Sequence, residues 1–167
     1  MSRALKESWV GVHAFADPRQ PQRGALLFAT EKSSEEDGLL QPREIVRLPI
    51  KADLVVLSAC NTIVGRSMGQ EGMSNLARAF LSSGATAVLA TAWSVSDTAS
   101  SSLLTEFYRN LVGGKEVATA LRDAKLTLLQ RFGPSVLPTV AAFQVIGNGN
   151  VIIPFGQNRT TLKGAQP

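Results

Sequence analysis

The chain has 167 residues, of which 44% are hydrophobic and 18% charged. This composition excludes an intrinsically disordered chain, and the length favours a single domain with a sizeable core. The net charge is +4, but the basic residues alternate with acidic ones and form no basic run, which argues against a nucleic-acid-binding protein.

The single cysteine, Cys60, rules out a disulfide within the chain, and a reducing compartment is therefore expected. Near the start, Lys6 and Glu7 interrupt the region where a signal peptide needs a continuous apolar segment. No later apolar run reaches the length of a membrane span. The sequence thus predicts a cytoplasmic protein without a membrane partner.

Residues 23–60 predict two strands and a short helix. Residues 23–29 (RGALLFA) have the composition of a strand, and the polar residues 30–38 follow as a turn-rich connection. Pro42 suits the first turn of a short helix. Residues 52–60 (ADLVVLSAC) form a continuous apolar run, typical of a buried central strand in a parallel sheet.

The second half predicts helices and strands in alternation. Three helices are predicted in this half. Ser96 or Asp97 is suited to cap the second helix, over 97–111, and glycines follow the first and the second helix. The predicted elements, in order, are a helix over 71–83 ended by Gly84, a strand over 85–93, a helix over 97–111 ended by Gly113 and Gly114, a helix over 115–132 and a strand over 141–148.

This alternation predicts an α/β fold, with a mostly parallel sheet covered by helices on both faces. In such sheets, functional residues lie at the carboxyl ends of the strands. Cys60 ends one predicted strand, and residues 93–97 follow the end of another.

Cys60 has two simple interpretations. A lone cysteine after an apolar run is commonly a buried core residue. A catalytic thiolate is the alternative, because a polar, glycine-containing loop follows Cys60 directly, but a thiolate needs a neighbouring base. The only histidine, His13, lies near the end of a probable strand, and its position upstream of Cys60 resembles the order found in caspases, where the histidine precedes the cysteine by about 50 residues.

A third interpretation of Cys60 is a phosphatase nucleophile. Cys60, five intervening residues, Arg66 and Ser67 match the spacing of a phosphate-binding loop in tyrosine phosphatases. The β-branched Ile63 and Val64 fit poorly in a loop that curls around an anion. The next helix also begins too late to direct its N-terminus at a phosphate.

The blocks around Cys60 resemble the CHAT domain, a caspase-like peptidase domain related to separase. The resemblance covers residues 4–148 and rests on blocks in the family's order: DLVVLSACNT, GQEG, LARAFLSSGA, VLATAWSVSD, FYRNLVGGKEVATALRDAKLTLL and AAFQVIG. It implies a caspase-like three-layer sandwich with a mostly parallel sheet.

The resemblance also implies an activity, that of a cysteine endopeptidase in which His13 and Cys60 form a catalytic dyad. The backbone amides of Cys60 and Ala14 would form the oxyanion hole, with Ala14 standing where the family has glycine. Asp97 and Trp93 would bind substrate, Asp97 favouring Arg or Lys before the scissile bond. No metal or organic cofactor is required.

Simpler roles stay open for two of these residues. Asp97 also fits as a helix cap, and Trp93 as a packing residue. A non-catalytic caspase-like interaction module is the alternative to the peptidase.

The domain organisation predicted is one caspase-like domain over residues 1–150, followed by a C-terminal strand or tail over 151–167. Compared with the family, the usual strands before the histidine are missing, so the domain is expected to be partial at its N-terminus. The expected partners are a protein or peptide substrate and a separate chain or domain that completes the N-terminal part of the fold or regulates activity.

Overall fold

The computed structural model describes residues 13–17, 20–28, 37–57, 70–93 and 95–155. The described residues form two three-stranded sheets and five α-helices. Helices and strands are mixed along the chain, so the fold is α/β as predicted. None of the described helices is long and apolar enough to cross a bilayer.

The N-terminal sheet is antiparallel. Its strands are β1 (His13–Asp17), β2 (Gln20–Leu27) and β3 (Leu39–Leu40), with β2 in the middle. The strand predicted over 23–29 is confirmed in β2, whereas most of the predicted connection over 30–38 lies outside the described residues.

Helix α1 (Pro42–Ile45) follows this sheet and begins at the predicted proline. The N-cap residue Gln41 donates its backbone N–H to the Glu44 carboxylate at 2.8 Å. A proline has no N–H to leave unsatisfied in the first helical turn, which explains why the helix begins there.

The second sheet is mixed. Its strands are β4 (Leu54–Leu57), β5 (Ala87–Thr91) and β6 (Phe143–Gly147), in that order. The predicted parallel pairing is confirmed between β4 and β5, which are linked by helix α2 (Gln70–Ser82). The prediction of a mostly parallel sheet is corrected at β6, which runs antiparallel to β5.

The direction of β6 follows from the helices that precede it. Helices α3 (Asp97–Val112) and α4 (Val117–Phe132) are of equal length, so they take the chain away from the carboxyl end of β5 and back again. A 3-10 helix (Gly133–Val136) and helix α5 (Leu137–Ala142) then lead into β6 from that same end. A strand that starts where its neighbour ends must be antiparallel to it.

The central strand also differs from the prediction. Among the described residues β4 pairs only with β5, whereas β5 has a neighbour on each side. All five residues of β5 are buried, but three of the four residues of β4 are half-buried. The middle of the described sheet is therefore β5 and not the strand that leads to Cys60.

The second sheet is covered on both faces, which gives the predicted three-layer sandwich. Leu89 of β5 packs with α3, α4 and α5, while its neighbour Val88 packs with α1, α2 and β2. The same alternation holds in β4, where Val56 faces the first cluster and Leu57 the second. This is the period of two that a strand imposes on its side chains.

Helix α2 ends at Ser82, two residues before the predicted glycine. Gly84 has a φ of 112°, and a Cβ there would lie 2.3 Å from the carbonyl oxygen of Ile50. Only glycine tolerates both conditions.

The C-terminal segment after β6 also packs on the domain. Val117 donates its N–H to the carbonyl of Val151, and Ile153 packs against the α3 side of the core.

Candidate functional site

His13 is the first residue of β1, and its backbone pairs with Leu27 of β2. The prediction that His13 lies near the end of its strand is corrected, because β1 continues to Asp17. The reason is a hairpin: the residues after His13 pair with β2 instead of entering a loop, and Ala14 pairs with Leu26.

Cys60 lies outside the described residues, three positions after the last residue of β4. The same holds for Arg66, Ser67, Ile63 and Val64, on which the phosphatase interpretation depends.

One buried hydrophobic cluster contains residues of both the His13 hairpin and the strand that precedes Cys60. Leu26, next to the residue paired with His13, is 5% exposed and belongs to the cluster that contains Ile45 and Leu57. Leu57 is the last residue of β4. The hairpin of His13 and the strand that precedes Cys60 are therefore packed into one hydrophobic cluster.

Trp93 follows the carboxyl end of β5, and its side chain makes a hydrogen bond to another part of the fold. Its indole N–H donates to the carbonyl oxygen of Pro138 at 3.0 Å, which ties the end of β5 to α5. Its ring is still 36% exposed. The hydrogen bond to Pro138 is consistent with the packing role that the sequence allows for Trp93.

Asp97 is the first residue of α3, and the N-cap position belongs to Ser96. The Ser96 side chain makes no capping hydrogen bond. The exposed Asp97 carboxylate stands in the first turn, where a negative charge is favoured by the helix dipole. In the part of the chain that the structure describes, Asp97 forms no ion pair.

Ser100 was not predicted as a site residue. It is 5% exposed, and among the residues that the structure describes its Oγ has no hydrogen-bond partner. The sequence carried one signal for it: Ser100 is the polar member of the stripe that continues with Leu103, Phe107 and Leu111. A hydroxyl in an apolar helical stripe is unusual enough to mark a position.

The described cavity lies elsewhere. A groove of about 450 Å³ runs between α4 and α5 and contains none of the predicted site residues. At this groove Lys125 donates to the carbonyl of Phe143 at 2.6 Å, and burial lowers the pKa of Lys125. Across the described residues, no three His, Cys, Asp or Glu side chains gather into a group that could hold a metal ion.

The described fold is a three-layer α/β domain. Of the predicted site residues, Cys60 follows β4 along the chain, Trp93 and Asp97 follow β5, and His13 and Ala14 lie in β1. The sequence profile of the CHAT domain family matches residues 9–148. The chain therefore belongs to the CHAT domain family, which is caspase-like.

A longer protein contains a similar segment. Over 110 residues, 66% of this chain, the sequence is 32% identical to tetratricopeptide repeat protein 28 of Mus musculus. The aligned part makes up 4% of that mouse protein, so the chain corresponds to a small portion of it.

Proposed function

We propose that the chain is a cysteine endopeptidase that uses a dyad of His13 and Cys60. The observation that carries this proposal is the buried cluster shared by Leu26 and Leu57, since it packs the hairpin of His13 against the end of the strand that precedes Cys60. Membership of a caspase-like family supports the same assignment.

The proposed reaction is a two-step acyl transfer. His13 accepts the thiol proton of Cys60, and the thiolate attacks the carbonyl carbon of the scissile peptide bond. The backbone amides of Cys60 and Ala14 hold the oxyanion. The C–N bond then breaks as His13 gives its proton to the leaving amine.

Hydrolysis of the thioester completes the cycle. Water attacks the carbonyl carbon while His13 accepts a proton from it, and the C–S bond then breaks to release the carboxylic acid product. His13 returns its proton to the Cys60 thiolate, which restores the starting state. The side chains that border the proposed pocket are Trp93 and Asp97. A free thiolate requires reducing conditions, so the proposed setting is the cytoplasm.

Regulation by a further chain or domain is part of the proposal. The mouse relative is a tetratricopeptide repeat protein, which supports repeats of that kind as the partner. Such a partner would complete the N-terminal part of the fold or control access to Cys60.

The test uses fluorogenic peptides with Arg, Lys, Leu or Asp before the scissile bond, and matching peptides that carry an electrophilic group. We expect wild type to hydrolyse at least one peptide and to be labelled at Cys60. Cys60→Ala abolishes both activities, and His13→Ala lowers kcat by roughly 10²- to 10⁴-fold, the range for a lost general base. Circular dichroism of each variant checks that it is folded.

Three outcomes would contradict the peptidase. Labelling of Cys60 that is unaffected by His13→Ala removes the dyad. Hydrolysis of a phenyl phosphate that depends on Arg66 supports the phosphatase. A folded protein without hydrolysis or labelling supports the non-catalytic interaction module.

A further inference from the structure

The groove between α4 and α5 has a volume of about 450 Å³ and apolar walls. The α4 wall is formed by residues three or four positions apart, from Ala118 to Leu129, which is one face of a helix over about 16 Å. Leu126 on this face is 42% exposed. The opposite wall contains Val140 and Ala141 of α5. The groove is therefore an open apolar surface, several helical turns long.

Lys125 places a positive charge on this face of α4. Its Nζ donates to the carbonyl oxygen of Phe143 at 2.6 Å, which uses one of its three N–H donors. Among the described residues Lys125 forms no ion pair. Burial lowers the pKa of Lys125, because the ammonium group has lost part of its hydration. A carboxylate brought into the groove would offset that loss.

The helices that form the described groove supply no free carboxylate for Lys125. Asp123 is the only acidic residue of α4, and its two oxygens already accept from Lys115 at 2.8 Å and Arg122 at 3.1 Å. Residues 124–167 contain four basic residues and no Asp or Glu, a net charge of +4. The counter-charge of Lys125 is therefore expected from another molecule.

The shape of the groove favours a helix as its ligand. Side chains of one helix fit into the groove between two others. A helix also satisfies its own backbone hydrogen bonds, whereas an extended segment needs backbone partners that a helix surface does not offer. A small ligand needs a cleft that encloses most of its surface, and a flat membrane does not fill a concave groove.

We propose that the groove between α4 and α5 binds an amphipathic helix of a partner protein. The apolar stripe of this helix packs on Leu126 and Val140, and an Asp or Glu beside the stripe pairs with Lys125. The contact does not depend on the proposed peptidase dyad, because the groove contains none of the predicted site residues.

Two other occupants fit the charge of the groove less well. Residues 156–167 of the chain carry Arg159 and Lys163 but no acidic side chain. A second copy of the chain, bound about a two-fold axis, would place the same basic face on both sides of the contact.

The test measures fluorescence anisotropy of two labelled helical peptides with the full chain. Both have leucines three and four positions apart, and the residues beside this stripe are glutamates in one peptide and lysines in the other. Wild type is expected to bind the glutamate peptide at least roughly tenfold more tightly. Leu126→Ala is expected to weaken this binding roughly five- to tenfold, because it removes part of the apolar contact.

Substitutions of Lys125 test the charge. Lys125→Glu is expected to reverse the preference between the two peptides. Lys125→Met keeps the apolar stem and is expected to lower the preference for the glutamate peptide roughly tenfold, the effect of a lost hydrogen bond to a charged group. Circular dichroism checks that each variant is folded, and the methionine variant decides the outcome if the glutamate variant is not.

Arg131→Glu is the matched control, since it makes the same change of charge at an exposed position of α4 outside the groove lining. It is expected to keep the wild-type preference. An equal effect of Arg131→Glu and Lys125→Glu would show a general charge effect and overturn the proposal. Absence of binding by wild type, or binding that Leu126→Ala leaves unchanged, also overturns it.

The same variants distinguish the other occupants. A wild-type dimer in sedimentation that Leu126→Ala dissociates would assign the groove to a second copy. Peptide binding that becomes stronger in Leu162→Ala would assign it to residues 156–167. Binding to phosphatidylserine vesicles that Leu126→Ala abolishes would assign it to a membrane. Each of these results overturns the helix proposal.

Failure of the peptidase is separable from failure of this proposal. Cys60→Ala and His13→Ala are expected to bind the glutamate peptide as wild type does. Such binding supports the groove even where wild type hydrolyses no peptide. Loss of the binding in Cys60→Ala would place the peptide at the proposed catalytic site and overturn the proposal.

Discussion

Tyr108 is the only tyrosine of the chain, and the fold keeps it protonated. Its ring packs edge-on against Phe107, with centroids 5.3 Å apart. Burial raises the pKa of Tyr108 well above its ordinary value, because the anion would lose its hydration. The unfolded chain releases this proton from about pH 10, whereas the folded chain retains it.

Linkage gives the sign of the resulting pH dependence. Since the folded state binds more protons, the contribution of Tyr108 is fully present below about pH 10 and is lost as the pH rises further. We expect the free energy of unfolding to fall more steeply above pH 10 in wild type than in Tyr108→Phe. Urea unfolding of both proteins at a series of alkaline pH values measures this difference.

The phenylalanine variant also serves as the control for lysine titration. Lys125, for example, has a lowered pKa in the fold, so its contribution rises with pH and opposes that of Tyr108. Because Lys125 is present in both proteins, it cancels from the difference. Tyrosinate absorbance that develops in folded wild type near pH 10 would show that burial does not hold the proton.

At the level of single residues, the sequence indicated the candidate site but not its contacts. Cys60 and His13 stand out because each is the only residue of its type. The bond from Trp93 to Pro138 was not predictable, since it joins residues 45 positions apart through the packing of α5 on the end of β5. The unpaired state of Ser100 depends in the same way on what surrounds it in three dimensions.

Gly84 joins α2 to β5, and its conformation limits both elements. We expect Gly84→Ala to destabilise the protein by roughly 2–4 kcal/mol. Part of this cost is the φ of 112°, and the rest is the approach of the new Cβ to the Ile50 carbonyl oxygen at 2.3 Å. Urea unfolding of the variant measures the loss.

Gly114, after α3, is a matched control for the steric part of this cost. Its φ of 81° is also positive, but a Cβ there has nothing within 4 Å. Gly114→Ala should therefore cost roughly 1–2 kcal/mol, the conformational part alone. Equal losses in the two variants would show that the contact with Ile50 relaxes without cost.

Element boundaries were predictable where local chemistry sets them. Pro42 begins α1 and Gly84 follows α2, because a missing N–H and a missing Cβ act within one turn of the chain. Strand direction was not predictable in this way. Whether β6 runs parallel or antiparallel depends on where α4 and α5 deliver the chain, and that is decided by packing over tens of residues.

On the scale of the whole molecule, β5 joins the two halves of the core. Leu89 contributes to the cluster on the α3 side, and Val88 contributes to the cluster on the α2 side. Because β5 contributes to both clusters, unfolding that takes β5 out of one cluster also takes it out of the other. The two clusters are therefore expected to unfold together, as one cooperative unit.

Two leucines provide a matched test of this coupling. Leu89 and Leu76 are both fully buried, one in each cluster, with Leu76 on α2. Each Leu→Ala variant should lose about 2–5 kcal/mol. The exposed Leu126 is the control, and its change to alanine should cost roughly 0.5 kcal/mol or less.

Amide hydrogen exchange then shows how far each loss extends. If the domain opens as a unit, Leu76→Ala accelerates exchange in α4 as much as in α2, and Leu89→Ala does the same, because the slowest amides of both helices exchange through global unfolding. Acceleration by Leu76→Ala that is confined to α2 would contradict this coupling. In that case β5 would stay packed only in the cluster on the α3 side. The layer containing α2 and the His13 hairpin would then open independently of the rest of the domain.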